Sequence, residues 1–300
     1  MNEKSPTVVM LTGSTGFIGR YLLSDKSNSC VFRVVSVRDQ QPEDLDFHGV
    51  DTVLHLAGLA HQMKKVPDHF YFDSNTKMTA RLADAAKAAK VPHFVFVSTI
   101  KAFGERGDVV FSENTACHPV NDPYGESKLQ AEQYLRSIED GSFKVAIVRP
   151  PLVYGPEVKG NLIRFLQLAD SPWPLPFAGI HNRRTLVSLF NLTALLMRII
   201  DTKAAGLFLA SDLKPFSTTF LMETLRDGLG RPRRLFRLPA SVIRLLHWWR
   251  PDLAMRLYGS LEMDNTETCR HLAFTPPQDT RTGLLNMAQW YKNAQNSHPL

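Results

Sequence analysis

The sequence predicts an α/β protein built around a doubly wound parallel sheet, with a smaller, discontinuous lobe in the C-terminal half. Three observations carry this prediction. Strand-like apolar runs alternate with segments of helical spacing, a glycine ladder joins the first strand to the first helix, and proline-rich stretches begin after residue 150. Repeated βα units form parallel sheets with helices on both faces. No apolar run reaches the length of a membrane span.

The elements of the first half follow from their sequence patterns. Continuous apolar runs predict strands at 7–13, 32–39, 51–58, 93–100 and 143–150, because strands covered on both faces lack polar alternation. Helical spacing predicts helices at 17–25, 73–90 and 124–138. Asp73 or Ser74 is the expected N-cap of the second helix, since short polar side chains accept hydrogen bonds from its free N–H groups.

The second half of the chain is richer in proline. Its proline-rich segments at 149–156 and 170–180 exclude continuous regular structure. The patterns predict a strand that returns to the sheet at 206–212, and helices at 188–201, 218–230 and 240–259. We therefore expect a main domain at 1–155, rejoined by 183–212, and a lobe formed by 156–182 and 213–300.

Gly13, Gly16 and Gly19 form the glycine ladder between the first strand and the first helix. Glycines at such a turn let a pyrophosphate approach the backbone, and the helix N-terminus supplies free N–H groups and a positive dipole end. The alternative is a tight structural turn. The GxxGxxG spacing lies after a strand and before a helix, which favours a dinucleotide site. The expected contacts there are the three glycines with Thr15, Phe17 and Ile18.

The residue at the end of the second strand determines the preference for NAD or NADP. An acidic residue there binds the ribose hydroxyls of NAD, whereas an arginine suits the 2′-phosphate of NADP. The preferred register places Arg38 at this position, and Arg20 supplies a second positive charge. NADP is therefore favoured. A shift of one residue would place Asp39 there and favour NAD, and ordinary surface charge is the alternative role of both arginines.

Tyr124 and Lys128 form a YxxxK pair, whose residues lie on one face of a predicted helix. A tyrosine has a pKa near ~10, and a neighbouring ammonium favours the phenolate and lowers that pKa. The pair therefore predicts a general acid–base catalyst. Ser98 and Thr99 end the preceding strand, where ligands bind in open α/β sheets. One of these hydroxyls is expected to contact substrate, with a turn or helix cap as the alternative.

The formal net charge is +6 and the pI is about 9.2, with many arginines between residues 226 and 256. A solvated basic face is the favoured interpretation, and attraction of an anionic substrate is the alternative. No nucleic-acid module accompanies the charge, so we expect no nucleic-acid partner. The three widely separated cysteines indicate free thiols in a reducing, cytoplasmic compartment. No metal-binding motif is present, and we expect no metal.

Residues 241–259 contain two adjacent tryptophans with flanking arginines. In the favoured interpretation, a helix of the lobe packs its apolar side on the core. The alternative is contact with an anionic membrane surface. The first interpretation leads us to expect neither a membrane span nor a peripheral membrane contact.

Six motifs together resemble a known superfamily, and the likeness extends over essentially the whole chain. They are TGSTGFIG, LAG, STIKAFGE, DPYGESK, RPPLVYGP and RRTLV. The set resembles the extended short-chain dehydrogenase/reductases, the NAD(P)-dependent nucleotide-sugar epimerases, dehydratases and reductases. The resemblance implies a Rossmann domain with a small C-terminal substrate lobe, a UDP-sugar substrate and a homodimer.

The resemblance also implies roles for particular residues. Thr99, Tyr124 and Lys128 would be the catalytic triad, with Lys128 also binding the nicotinamide ribose. Further cofactor contacts would come from Leu56, Ala57, Gly58, Asn75 and Pro150. Substrate contacts would come from Thr99, Lys101, Asn161, Arg184 and Arg256, of which Arg184 matches the arginine that grips the diphosphate.

Departures from the family pattern narrow the expected reaction. The 4,6-dehydratases carry Asp-Glu after the catalytic hydroxyl residue, whereas this chain has Ile100 and Lys101, which cannot eliminate water. Leu152 replaces an asparagine that holds the diphosphate in many epimerases. His61 and Lys101 follow strand ends and are expected at the periphery of the sugar site.

Within the superfamily, the sequence resembles bacterial surface-polysaccharide enzymes of O-antigen and capsule synthesis. These reduce C4 of UDP-4-keto-6-deoxy-N-acetylglucosamine to give UDP-N-acetylquinovosamine. A nucleotide-sugar C4-reductase is therefore the expected function. The alternatives are a UDP-glucose or UDP-N-acetylglucosamine 4-epimerase with tightly bound NAD and, more remotely, a non-catalytic NAD(P)-binding sensor, which would not need the tyrosine–lysine pair.

Overall fold

A computed structural model describes residues 6–25, 30–60, 66–104 and 109–297. Its centre is a six-stranded sheet in which every neighbouring pair is parallel, in the order β2-β1-β3-β4-β6-β9. The strands are β1 (Val8–Thr12), β2 (Val31–Val35), β3 (Thr52–His55), β4 (His93–Val97), β6 (Lys144–Arg149) and β9 (Gly206–Leu209). β5 (Val110–Phe111) lies outside this sheet and pairs with β10 (Glu262–Met263). The doubly wound α/β prediction is confirmed.

Helices cover both faces of the sheet. One face packs against α3 (Met78–Ala88) and α4 (Pro123–Ile138), and the other against α1 (Phe17–Ser24), α6 (Leu189–Thr202) and α10 (Thr266–Leu272). Apolar residues of β1, β4 and β6 alternate between the two resulting cores. The late strand β9 joins the sheet edge beside β6, as its sequence pattern predicts.

A third hydrophobic core lies in the C-terminal half. It joins α5 (Asn161–Asp170), α7 (Thr218–Leu229) and α11 (Thr280–Ser297), with β7 (Leu152–Tyr154) and β8 (Leu186–Ser188) beside them. Tyr154 is fully buried in this core and donates its hydroxyl to the Asp212 carboxylate, Oη to Oδ2, at 2.6 Å. Helices α8 (Ala240–Trp249) and α9 (Pro251–Tyr258) follow α7 along the chain.

Two expected boundaries are wrong by four residues or more. β2 ends at Val35, four residues before the predicted end, because the backbone turns at Ser36 and the N–H groups of Asp39 and Gln40 bond its carbonyl. The second helix begins at Asp68, after Pro67, as α2 (Asp68–Tyr71). It continues through a π-helical turn (Phe72–Lys77) into α3. Asp73 and Ser74 therefore lie inside the helix and do not cap it.

The expectation that residues 240–259 pack an apolar helix side on the core is wrong for their first half. The helix breaks at Arg250, whose extended backbone (φ −140°, ψ 69°) precedes Pro251, since proline disfavours a helical conformation in the preceding residue. None of the ten residues of α8 is buried. Among the described residues, no helix combines the length and apolar character needed to cross a membrane.

Candidate active site

The turn between β1 and α1 has the shape that its glycines permit. Gly13 adopts φ +74°, and a Cβ there would lie 2.6 Å from the Ala57 backbone nitrogen. A Cβ on Gly19 would collide with the carbonyl oxygen of Gly13. Among the described residues, no side chain caps α1 at Gly16. The turn therefore brings a helix N-terminus with open backbone N–H groups against the ends of β1 and β3, which suits an anionic group.

Asn75 fixes the loop after β3. Its side-chain oxygen accepts a hydrogen bond from the backbone N–H of Leu59 (2.8 Å), and its amide donates to the Leu59 carbonyl (3.1 Å) and to the Ser127 hydroxyl (3.0 Å). The residue is fully buried within the π-helical turn, a deviation that is frequent at functional sites. A Cβ on Gly58 would lie 2.7 Å from Asn75 Oδ1 and 3.2 Å from Lys128 Nζ. Asn75 thus ties the cleft wall to α4.

A cleft follows the carboxyl ends of the strands. Its outer part, about 620 Å³, reaches from the glycine turn to the loop after β2. Its inner part, about 310 Å³, reaches from the same turn to α4 and Pro150. All predicted cofactor contacts except Asn75 line one or both parts: Gly13, Thr15, Gly16, Phe17, Ile18, Gly19, Arg38, Leu56, Ala57, Gly58, Tyr124, Lys128 and Pro150. Sequence positions far apart therefore meet along one continuous cleft.

Arg38 and Asp39 both lie in the turn after β2 and line the outer part of the cleft. Arg38 is not the last strand residue, as the preferred register had it, because the strand already ends at Val35. Asp39 accepts a hydrogen bond from the Ser36 hydroxyl at 2.6 Å. The turn therefore presents a guanidinium and a carboxylate to the same end of the cleft, and the carboxylate already has one local partner.

The two hydroxyl residues at the end of β4 are used differently. Ser98 lines the inner part of the cleft and donates to the buried Glu132 carboxylate at 2.5 Å. Thr99 caps a short 3-10 helix (Ile100–Phe103) by accepting from the Lys101 N–H at 3.3 Å, and its side chain also hydrogen-bonds Tyr124. The structure therefore brings Thr99 into hydrogen-bond contact with the tyrosine.

Tyr124 has a raised pKa, of about 12. Burial is the largest cause, the hydrogen bond with Thr99 acts in the opposite direction, and the charge of Asp122 raises it further. The expectation that Lys128 lowers this pKa is wrong for the structure. The Lys128 ammonium donates to the Val97 carbonyl at 3.0 Å and lies 4.5 Å from the centre of the Phe96 ring. Tyr124 is consequently protonated at neutral pH.

Lys128 is itself nearly inaccessible, with 5% of its surface exposed. Burial lowers its pKa to about 8, while the negative charge of Glu132 acts in the opposite direction. A lysine with this pKa carries a proton at neutral pH and can release it at little cost. The structure thus places a tyrosine and a tuned lysine one helical turn apart at the inner end of the cleft.

The N-terminus of α4 is held against the 3-10 helix. Asp122 caps α4 by accepting from the Gly125 N–H at 3.2 Å, and its other oxygen pairs with Lys101 Nζ at 3.0 Å. A Cβ on Gly125 would lie 2.5 Å from the Lys101 carbonyl oxygen. Gly125 is therefore the residue that allows Tyr124 and Thr99 to approach each other. Lys101, a predicted substrate contact, forms an ion pair in this arrangement.

The other predicted substrate residues lie in the C-terminal half. Arg184 Nη1 donates to the carbonyls of Met255, Arg256 and Gly259 at 3.0–3.2 Å, at the end of α9. Arg256 exposes its side chain, and Asn161 is the half-buried first residue of α5. Contact of these residues with substrate stays a prediction. His61 lies outside the described residues.

Two buried networks support the site and escaped the sequence analysis. Arg149 binds both oxygens of Glu132, at 2.9 and 2.5 Å. His55 lies between the hydroxyls of Thr12 (2.7 Å) and Thr79 (3.0 Å), and burial lowers its pKa to about 3. His55 and Arg149 are ionisable residues inside otherwise apolar strands. Such a residue requires a buried partner, so this pattern could have revealed both networks.

The fold and the cleft define an α/β protein whose cleft has the form of a dinucleotide site and ends at Tyr124 and Lys128. Residues 9–169 match the NAD dependent epimerase/dehydratase family, and the chain belongs to this family. A nucleotide-sugar enzyme aligns with nearly the whole chain. UDP-glucose 4-epimerase of Vibrio cholerae is 33% identical to this chain over an alignment of 323 positions. The alignment covers 98% of this chain and 98% of the relative.

Solved structures agree on the fold. UDP-glucuronic acid 4-epimerase from Bacillus cereus, in complex with NAD, has a TM-score of 0.73 and 19% identity, and covers 96% of this chain and 99% of its own. RMD from Pseudomonas aeruginosa, complexed with NADPH, has a TM-score of 0.76 and 18% identity, and covers 96% of this chain and 98% of its own. Structural neighbours therefore include both NAD- and NADPH-bound enzymes.

Proposed function

We propose that this protein is an NADPH-dependent nucleotide-sugar reductase that acts on C4 of a UDP-4-keto-6-deoxy-hexosamine. The observation that carries the proposal is the hydrogen bond between Tyr124 and Thr99 at the inner end of the cleft. A ketone reduction needs a proton donor beside the carbonyl oxygen, and a tyrosine with a pKa of about 12 carries that proton at neutral pH. An epimerase would use the same residue first as a base and then as an acid.

The cleft fits a dinucleotide on its own geometry. The glycine turn leaves no room for a Cβ at Gly13, and the uncapped start of α1 suits a pyrophosphate. Leu56, Ala57 and Gly58 would form one wall, and Lys128 and Pro150 line the inner end. When bound, the nicotinamide supplies the hydride that reduces C4.

The residues of the chain then handle the proton and the charge. Tyr124 donates its proton to the sugar O4 as negative charge develops there. Thr99 holds the same oxygen through its hydroxyl, which stabilises that charge. Lys128, one helical turn away and with a pKa of about 8, can return a proton to the site after Tyr124 has given up its own.

We propose Lys101, Asn161, Arg184 and Arg256 as further substrate contacts. Arginine binds diphosphates through bidentate, charge-assisted hydrogen bonds. Arg184 would contribute through nitrogens other than Nη1, which donates to backbone carbonyls. Lys101 would reach substrate from its ion pair with Asp122.

Arg38 supports NADPH over NADH, because it places a guanidinium at the outer end of the cleft while Asp39 is held by Ser36. We expect Arg38→Ala to lower kcat/KM for NADPH by about 10- to 100-fold, the loss of one charge-assisted hydrogen bond, with little change for NADH. Asp39→Asn is the matched control and should leave NADPH use unchanged. If Asp39→Asn weakens NADH binding and Arg38→Ala changes nothing, the cofactor is NAD.

The second candidate is a UDP-hexose 4-epimerase with tightly bound NAD, favoured by the Vibrio cholerae relative of that name. The two functions differ in cofactor balance. A reductase consumes one reduced nicotinamide for each product, whereas an epimerase regenerates its cofactor in every cycle. Incubation with UDP-4-keto-6-deoxy-N-acetylglucosamine and NADPH should give stoichiometric loss of NADPH absorbance and the C4 alcohol by NMR. Epimerisation of UDP-glucose or UDP-N-acetylglucosamine without net NADPH loss would establish the alternative.

A further inference from the structure

Helix α8 and its flanks carry a concentration of exposed apolar side chains that the fold itself does not use. Trp248 is 83% exposed, Trp249 68% and Leu245 60%. We call this region the α8 surface; its exposed large apolar residues are Phe236, Val242, Leu245, Trp248, Trp249, Leu253 and Met255. An amphipathic helix normally buries its apolar stripe, and exposed apolar clusters on soluble proteins mark interaction sites.

The same region is strongly basic. The twenty residues 231–250 contain six arginines and no acidic residue or lysine, a formal charge that equals the +6 of the whole chain. Arg231 pairs with Asp170 and Arg233 with Asp227. Within the described residues, the other four, Arg234, Arg237, Arg244 and Arg250, form no ion pair and are exposed. The charge therefore stands beside the apolar side chains without local neutralisation.

The arrangement of tryptophan and arginine has a recognisable physical use. Arg250 places its guanidinium 5.3 Å from the centre of a Trp249 ring, so cation and ring share one location at the protein surface. Tryptophan prefers the boundary between lipid headgroups and acyl chains, and arginine binds lipid phosphates from the same depth. Val242 and Leu245, one turn apart on α8, supply the apolar part that enters the acyl region.

We propose that the α8 surface docks this protein on an anionic lipid bilayer. A second copy is a poorer occupant, since a two-fold contact would bring two basic clusters face to face. A nucleic acid offers phosphates for the arginines but no apolar layer for Val242 and Leu245. An anionic bilayer satisfies both requirements at once.

Docking has a consequence for a groove beside α8. Ile243 and His247 of α8 line a groove of about 500 Å³, together with Gly179 and Tyr258. The outward side of α8 is the proposed lipid contact, and its inward side is a wall of this groove. Docking therefore brings the groove to the level of the lipid headgroups.

The test uses the full-length protein and vesicle flotation. Vesicles of phosphatidylcholine alone are compared with vesicles that also contain phosphatidylglycerol. The protein should float with the anionic vesicles only, binding should weaken with added salt, and tryptophan emission should shift to shorter wavelength. Failure to float with anionic vesicles would overturn the proposal.

Matched variants locate the contact. Arg244→Gln should weaken vesicle binding about fivefold, the effect of one basic residue near an anionic surface. Arg270→Gln, on α10, removes the same charge and should have no effect. Leu245→Ser should also weaken binding, whereas Leu213→Ser, at a similarly exposed position, should not. Equal loss in each variant and its control would contradict docking through α8.

Other occupants give distinct results. Concentration-dependent dimerisation that Trp248→Ala abolishes, without vesicle binding, would identify a second copy and overturn the proposal. Binding to DNA with an affinity above that for anionic vesicles would also overturn it. Turnover in lipid-free solution should be the same for the α8 variants and the native chain. A failure of the docking proposal can therefore be distinguished from a failure of the catalytic proposal.

Discussion

Helices α4 and α8 treat their side chains in opposite ways. α4 buries a lysine and a glutamate, Lys128 and Glu132, whereas α8 leaves two tryptophans in solvent. Each arrangement is costly alone: buried charge loses hydration, and exposed apolar surface orders water. In α4 the cost is offset inside the molecule by Arg149, Ser98 and the Val97 carbonyl. In α8 nothing among the described residues offsets it, which points to an external partner.

The largest expected effect is the loss of activity when the hydroxyl of Tyr124, on α4, is removed. Tyr124→Phe removes the proposed proton donor, and kcat for ketone reduction should fall by about 10²- to 10⁴-fold. Steady-state kinetics with NADPH measure it. Tyr134→Phe is the control on the same helix, since that hydroxyl binds Asp84 at the surface and its loss should leave kcat unchanged. Activity retained in Tyr124→Phe would remove this tyrosine from the mechanism.

The buried ion pair should dominate the stability of α4. Glu132→Gln leaves the Arg149 guanidinium buried without its carboxylate, and we expect a loss of about 3–5 kcal/mol in the free energy of unfolding. Urea denaturation measures it. Glu126→Gln, at an exposed position of α4, should cost almost nothing. The double variant Glu132→Met and Arg149→Met should recover most of the loss, and no recovery would show that packing, rather than charge, decides stability here.

Acid should weaken the protein through His55. Its folded pKa is about 3, against an ordinary value of 6.5, because burial and the charge of Lys128 disfavour the imidazolium. The unfolded chain therefore binds more protons between these values, and stability falls as pH falls through that window. From pH 6.5 to 5 the contribution is about 2 kcal/mol.

His55→Gln checks this slope. Urea unfolding of the variant and the native chain should show a difference in stability that shrinks as pH falls from 6.5 to 5. His48→Gln, at an exposed position, should keep the native slope. Parallel curves for His55→Gln and the native chain would exclude His55 as the source.

The smallest expected effect is the change in stability when the two tryptophans of α8 are removed. The double variant Trp248→Ala and Trp249→Ala should change the free energy of unfolding by less than about 1 kcal/mol, since both side chains are largely exposed. Thermal or urea unfolding measures it. A loss as large as that of Glu132→Gln would mean that the tryptophans serve the fold and need no outside partner.

The sequence predicted those parts of the molecule that depend on local pattern. The glycine turn, the order of strands and helices, and the YxxxK pair each follow from short stretches of sequence. The cleft is the meeting of these stretches at one edge of a parallel sheet, which the topology alone implies.

What could not be predicted depends on long-range contacts or on balances of free energy. The pKa of Tyr124 rises because the effect of burial outweighs the opposite effect of the Thr99 hydrogen bond. The spacing of residues in the sequence does not reveal that balance. Glu132 and Arg149 are seventeen residues apart and meet only when β6 lies beneath α4. The exposure of α8 also escaped prediction, because an apolar stripe in the sequence does not say whether anything lies opposite it.

The most direct test of the proposed reduction follows the hydride. The protein would be incubated with UDP-4-keto-6-deoxy-N-acetylglucosamine and NADPH carrying deuterium at the transferable position of the nicotinamide. We predict one deuterium at C4 of the sugar product for each NADPH oxidised, seen by NMR and mass spectrometry. A C4-epimerised UDP-sugar without deuterium and without loss of NADPH would contradict the account.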